Sequence, residues 1–105
     1  MSNYKNIGIA YFTNAPMENE PFGKEVEGIM TSVAKQIPVR KVDTEKEVTI
    51  VEAMKPQVVP TIIFTNSNGD LEHLRIEGAQ LQGITVEKVM ETVAAIDRFN
   101  KGEKV

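Results

Sequence analysis

The chain has 105 residues, 41% of them hydrophobic and 26% charged, with a formal net charge of −3, which is the size and make-up of one folded domain rather than of a disordered segment. Acidic and basic residues are interspersed, so no basic face is available to neutralise phosphates or anionic lipid, and neither nucleic acid nor a membrane surface is an expected partner. There is no cysteine, which removes disulfides, thiolate metal sites and thiol catalysis together.

No apolar run approaches the length of a bilayer, and the opening MSNYKN carries no signal-peptide core, so a cytoplasmic location is expected. The first element is NIGIAYFT, Asn6 to Thr13. It is short, β-branched and aromatic with apolar residues on both faces, and reads as a central buried strand. The polar stretch NAPMENEP that follows reads as a loop. Phe22, Val26, Ile29, Met30, Val33 and Ile37 then recur at helical spacing and predict a one-faced helix from about Phe22 to Gln36.

IPVRKVD, Ile37 to Asp43, is a second strand. Thr44 with Glu47 three residues on has the form of a capping box, opening a helix that must stop before Pro56, although the β-branched run Val48 to Val51 works against it. TIIFT and LEHLRI flank NSNGD, two strands around an Asn-Gly turn. Leu71, Leu74 and Ile76 break strict alternation by one residue, which predicts a bulge near Glu72 and His73. Thr85 caps a last helix with Val86, Val89, Met90, Val93 and Ile96 on one face, running to about Phe99; residues 100–105 are expected to fray. The whole, residues 1–105, is one domain without linkers or repeats.

The element order is βαβ, a connecting helix, a ββ hairpin and a final helix. A right-handed crossover makes the second strand parallel to the first, and the hairpin makes the fourth antiparallel to the third. The expected fold class is α/β: a four-stranded mixed sheet, order 4-3-1-2, flanked by three helices on its two faces.

Proline at the head of QVVPTIIF is tolerated because the first residue of a strand owes no ladder donor. That Val-Pro-Thr, the Asn-Gly hairpin after it, EGA at Glu77 to Ala79 and YFT at Tyr11 to Thr13 together resemble, in order and spacing, the thioredoxin-like superfamily. The resemblance spans Asn6 to Phe99 and implies the minimal core of that fold, without an extra N-terminal strand and helix. It also implies a cis Val59–Pro60 bond that turns the main chain of Val59 outward, where an extended peptide can pair with it.

The departures from the family matter as much. Aligning the first long helix puts Lys24 on a family lysine and Glu20, Pro21, Phe22 and Gly23 in the Cys-Gly-Pro-Cys slot; an ungapped alternative puts Pro16 to Asn19 there. Neither holds a sulfur nucleophile. The position of the family's buried acid is Ala10. The resemblance therefore implies a redox-inactive domain that retains a groove of Met17, Pro21, Phe22, Val59, Pro60, Thr61, Gly78 and Ala79.

Other chemistry finds little support. Glu18 and Glu20 read as solvated loop charges, and His73 as a structural histidine with no second ligand beside it. Ser2, Ser32 and Ser67 have no His-plus-acid context, and no glycine-rich nucleotide motif is present. No catalytic residue, metal or cofactor is expected. The leading expectation is a non-enzymatic adaptor or accessory module for a protein or extended peptide. A homo-oligomeric structural subunit, a glutathione-binding protein, and a regulator similar to the cysteine-free circadian-clock protein KaiB are the alternatives.

Overall fold

A computed structural model of the protein describes residues 6–66 and 72–100. Strand β1 (Ile7–Thr13) is buried at every position, because both faces of the sheet are covered around it. Its side chains alternate between two cores. Ile7, Ile9 and Tyr11 join Ile62 and Phe64 with Val26, Met30 and Val33, Val89 and Val93. Ala10 and Phe12 join Val42 and Ile63 on the other face.

The helices follow from this division. α2 (Pro21–Val33) buries Val26, Met30 and Val33, one stripe at helical spacing, and α4 (Val86–Asn100) buries Val89 and Val93 on the same face of the sheet. α3 (Val48–Met54) covers the opposite face with Ile50, Val51 and Met54. Thr85 Oγ1 accepts from the N–H of Lys88 at 3.1 Å, the N-cap expected at the start of α4.

The sheet order is β2-β1-β3-β4, which is the expected 4-3-1-2 read from the other edge. β2 (Val39–Asp43) is parallel to β1, with Ile9 opposite Val39. β3 (Thr61–Asn66) is antiparallel to β1, with Tyr11 opposite Ile62. β4 (Glu72–Glu77) is antiparallel to β3; Phe64 faces Leu74 but Thr65 faces Glu72. His73 is thus the extra residue of a bulge, where the broken alternation placed it. The Asn-Gly turn between β3 and β4 and the tail after Asn100 lie outside the described residues.

Two expectations need correction. The stretch read as a loop after β1 contains a helical turn, α1 (Ala15–Glu18), so among the described residues four α-helices flank the sheet, three of them long. The connecting helix also starts at Val48 rather than after Thr44. Asp43 intercepts the chain: its Oδ1 accepts from the N–H of Glu45 at 2.9 Å, and Glu47 reaches back to the N–H of Asp43 at 3.1 Å. An Asx-type turn outcompetes the capping box, because Asp bonds its own nearby backbone more strongly than Thr.

α3 ends on Lys55, whose φ of 50° lies in the left-handed region. Its last carbonyls are taken from across the sheet: Arg75 of β4 donates to Met54 O at 2.7 Å and Lys55 O at 3.0 Å. The same guanidinium makes a two-pronged pair with Glu72, at 2.6 and 2.8 Å, and holds that carboxyl below its usual range. Arg75 is therefore a C-cap supplied by tertiary structure.

Two changes test this helix end. Lys55→Gly removes a left-handed strain of about 1 kcal/mol against a smaller entropic cost and should raise stability. Arg75→Met leaves two carbonyls without a charged donor and should lower it by about 1–2 kcal/mol. Urea denaturation of both variants reads the difference, and a neutral Arg75→Met would show that the fork contributes nothing.

Candidate functional site

The register brings three chain segments to one end of the sheet. Phe12 near the end of β1 lies opposite Thr61, and Thr61 lies opposite Glu77 at the end of β4. α1 and the start of α2 follow β1 there, Val58 to Pro60 lead into β3, and a 3-10 turn (Gly78–Leu81) follows β4. The eight groove residues named from the sequence all sit in these segments. Pro60, Thr61 and Gly78 are buried, Met17, Phe22 and Val59 are half-buried, and Pro21 and Ala79 are exposed.

Local sequence fixes the two helix starts. Asn14 Oδ1 accepts from the N–H of Met17 at 2.9 Å and caps α1, with Pro16 in its first turn. α2 starts on Pro21 with Glu20 as N-cap. The two slots that the sequence leaves open are therefore distinct places: Pro16 to Glu18 belong to α1, and Glu20 to Gly23 form the first turn of α2. Gly23 lets them fold together. A Cβ there would come within 1.8 Å of Met17 O and 2.6 Å of its carbonyl carbon, so α1 packs directly on the bare backbone of α2.

At the head of β3, the Val59–Pro60 peptide bond is cis. Its neighbours are tied down one by one. Gln57 N–H donates to Glu77 Oε2 at 2.7 Å, Val58 O accepts from Thr61 Oγ1 at 2.7 Å, and Pro60 O accepts from Gly78 N–H at 2.8 Å. Glu77 and Gln80 form a capping box around the 3-10 turn. Among the described residues, the N–H and C=O of Val59 have no hydrogen-bond partner. Gly78 has φ +56°, and a Cβ on it would meet Val58 Cγ2 at 2.6 Å, so only glycine fits that close approach.

Behind α1 lies a polar network that sequence reasoning missed. Tyr11 Oη donates to Glu27 Oε1 at 3.1 Å, and Lys41 pairs with Glu27 at 3.1 Å and with Glu18 of α1. Burial, then the charge of Glu27, pushes the Tyr11 phenol far above its ordinary value. Glu18 above all holds the Lys41 ammonium protonated beyond its usual range. Glu18 is thus an ion-pair partner rather than a free loop charge, and Glu20 is exposed. Nothing local signals this cluster, since its members come from four elements.

His73 is half-buried in its bulge, and its Nε2 has no hydrogen-bond partner. Ala10 packs with Phe12 under α3. Among the described residues no group of three His, Asp or Glu side chains is placed to hold a metal, and no described helix is long and apolar enough to cross a membrane. Two clefts lie elsewhere, lined by none of the eight residues named from the sequence. One, of about 340 Å³, opens between α3 and the sheet; the other, of about 300 Å³, lies between β4 and α4 beside Leu74, Ile96 and Phe99. Neither was anticipated from the sequence.

No protein-family model matches the chain, and no curated protein matches it. Solved structures do. Thioredoxin-2 of the malaria parasite superposes with a TM-score of 0.68 at 15% identity over 86% of this chain and 82% of its own. A mutant thioredoxin of Halobacterium salinarum gives 0.69 at 14% identity, over 87% and 74%. The germline thioredoxin Deadhead of the fruit fly gives 0.66 at 20% identity, over 88% and 82%. The chain has a thioredoxin-like fold, and with no cysteine in it there is no Cys-x-x-Cys motif and no thiolate for thiol–disulfide exchange.

Two measurements probe the scaffold of this end. In a Tyr4→Phe background, Tyr11 is the only phenol. The unfolded chain releases its proton near about pH 10 while the fold retains it, so the unfolded state binds fewer protons there and stability falls as pH rises beyond that point. The tyrosinate absorbance should then appear only as the protein unfolds in alkali; a signal with a midpoint near about 10 in folded protein would refute the buried pairing. Gly23→Ala should cost at least about 2 kcal/mol by forcing α1 off α2, seen as a lower urea midpoint.

Proposed function

We propose that this protein is a non-enzymatic, redox-inactive adaptor of the cytoplasm that binds an extended peptide segment of another protein at the end of the sheet, against Val59. One observation carries this reading: among the described residues the main-chain N–H and C=O of Val59 are unpaired while Gln57, Val58 and Pro60 around it are each bonded. An unpaired donor and acceptor on one fixed residue is what an extended chain needs to add itself as a short strand.

The flanks suit such a ligand. Met17 and Phe22 are half-buried and Pro21 and Val58 more open, so apolar surface from both sides borders the polar main chain. Main-chain pairing supplies affinity with little sequence preference, and the apolar flanks supply what selectivity there is. Nothing in this mode needs sulfur, so a chain with no cysteine can bind where it cannot exchange disulfides. Gly78 closes Pro60 O, and the buried Thr61 hydroxyl fixes Val58 O; both hold Val59 in its presented conformation, which lowers the ordering cost of binding.

The test is an affinity capture from host lysate with wild type beside Val59→Asp, bound proteins being identified by mass spectrometry and the fold of the variant checked by circular dichroism. The expected result is a partner kept by the wild type and lost by the folded variant. The partner's binding segment, made as a peptide, should then shift the amide resonances of Val59, Gly78 and Phe22. Retention of the same partner by both proteins would move the interface elsewhere. Protection of the fold by glutathione, or a stable homo-oligomer, would replace the adaptor reading with those alternatives.

A further inference from the structure

Among the described residues, the second face of the sheet is covered by a single short helix. α3 is 7 residues long and packs Ile50, Val51 and Met54 against Ala10, Phe12, Val42 and Ile63. Toward the start of β1 and the end of β3 this helix leaves a cleft of about 340 Å³, with Gly8 and Ala10 on the floor, Ile50, Ala53 and Met54 on the wall, and Arg40 at β2. That volume falls in the range of small-ligand sites, roughly 300–1,000 Å³, which combine apolar walls with a few polar groups.

Two features of this cleft point to the kind of ligand. The floor is bare because Gly8 has no side chain. A Cβ there would meet Pro38 O at 3.5 Å, Asn66 O at 3.6 Å and Thr65 Oγ1 at 3.8 Å, all ordinary contacts, and Gly8 is not among the glycines of positive φ. Neither packing nor backbone geometry demands glycine at this point of a buried strand, where a β-branched residue would be favoured; the consequence of having it is that no side chain at this position projects into the cleft.

The second feature is the cation. Arg40 is exposed, and its guanidinium makes one long contact, 3.4 Å to Glu47 Oε1, leaving most of its N–H donors unspent on protein. Glu47 itself also serves the N–H of Asp43. A planar cation above an apolar wall selects an anion with an apolar body, and a carboxylate matches the guanidinium fork.

We propose that this cleft binds a small amphipathic carboxylate, its apolar chain lying between Gly8 and Ala10 of the sheet and Ile50, Ala53 and Met54 of α3, and its carboxylate on Arg40. The site is separate from the Val59 groove, which lies beyond the opposite end of β1, and stands or falls independently of it. A neutral ligand of the same length loses the Arg40 contact, and a cationic one meets its repulsion.

Decanoate below its micelle concentration, titrated into ¹⁵N-labelled protein, is the probe, with decanol as the neutral control. The expected result is a saturable shift of the amides of Gly8, Ala10, Arg40 and Ala53. Gly8→Val, which fills the floor without a close contact at its Cβ, should weaken decanoate at least tenfold. Arg40→Gln, an exposed change that leaves the core untouched, should weaken decanoate about tenfold and leave decanol unchanged. Shifts centred on Val59 and Phe22, shifts scattered over the surface, or unaltered affinity in either variant would overturn the proposal. So would a wild-type dimer that Gly8→Val converts to monomer, because the occupant would then be a second copy of the chain.

Discussion

Everything in this fold hangs on β1 being buried on both faces. A strand whose seven residues are all inaccessible cannot sit at an edge, so β2 and β3 must flank it, and helices must cover it above and below. Its alternation then assigns the cores. Odd-numbered Ile7, Ile9 and Tyr11 meet α2 and α4, while Ala10 and Phe12 meet α3. Slipping β1 by one residue would exchange the two cores and bury Ala10 where Tyr11 now fills the larger space. The register of β1 is therefore also what carries α1 and Pro60 to the same end of the sheet, since Phe12 faces Thr61.

What was legible in the sequence tracks the range of the interactions that decide it. The two-sided apolar run of β1, the one-faced stripes of α2 and α4 and the Thr85 cap depend on neighbours within a few residues, and the structure has them where periodicity put them. The bulge at His73 was legible for the same reason, because a one-residue slip leaves a mark in the alternation. α1 was legible in principle: Asn14 followed by Pro16 is a helix-start signal, but four residues are too few to show a period. The start of α3 was misplaced because Asp43 closes a turn on the N–H of Glu45, which holds the chain out of helix until Val48.

The site divides along the same line. Pro60 could be picked out because proline at a strand head is unusual, but an outward main chain at Val59 was implied by the family resemblance alone, because pairing there is a property of three dimensions. The unpaired N–H and C=O of Val59 stand apart only because Glu77, Thr61 and Gly78 satisfy the residues on either side. Gly23 and Gly78 were visible as letters; that one admits the carbonyl of Met17 and the other the side chain of Val58 required the tertiary structure. The network of Tyr11, Glu27, Lys41 and Glu18 is longer in range still, joining two strands to two helices, and left no trace in spacing.

That network bears on how this end of the fold keeps its shape. The long first helix and the segment before it must be held over the end of the sheet by something when no disulfide is present. Here Lys41 reaches from the edge strand to Glu18 of α1 and Glu27 of α2 at once, and the buried phenol of Tyr11 anchors Glu27 from below. Exposed ion pairs alone contribute little, but a pair rooted in a buried hydrogen bond is less screened and fixes geometry more firmly. With α1 seated on Gly23 and pinned by Lys41 through Glu18, Met17 is held against α2 and Phe22 packs on the main core, so this end of the sheet is shaped in advance rather than left as mobile loop.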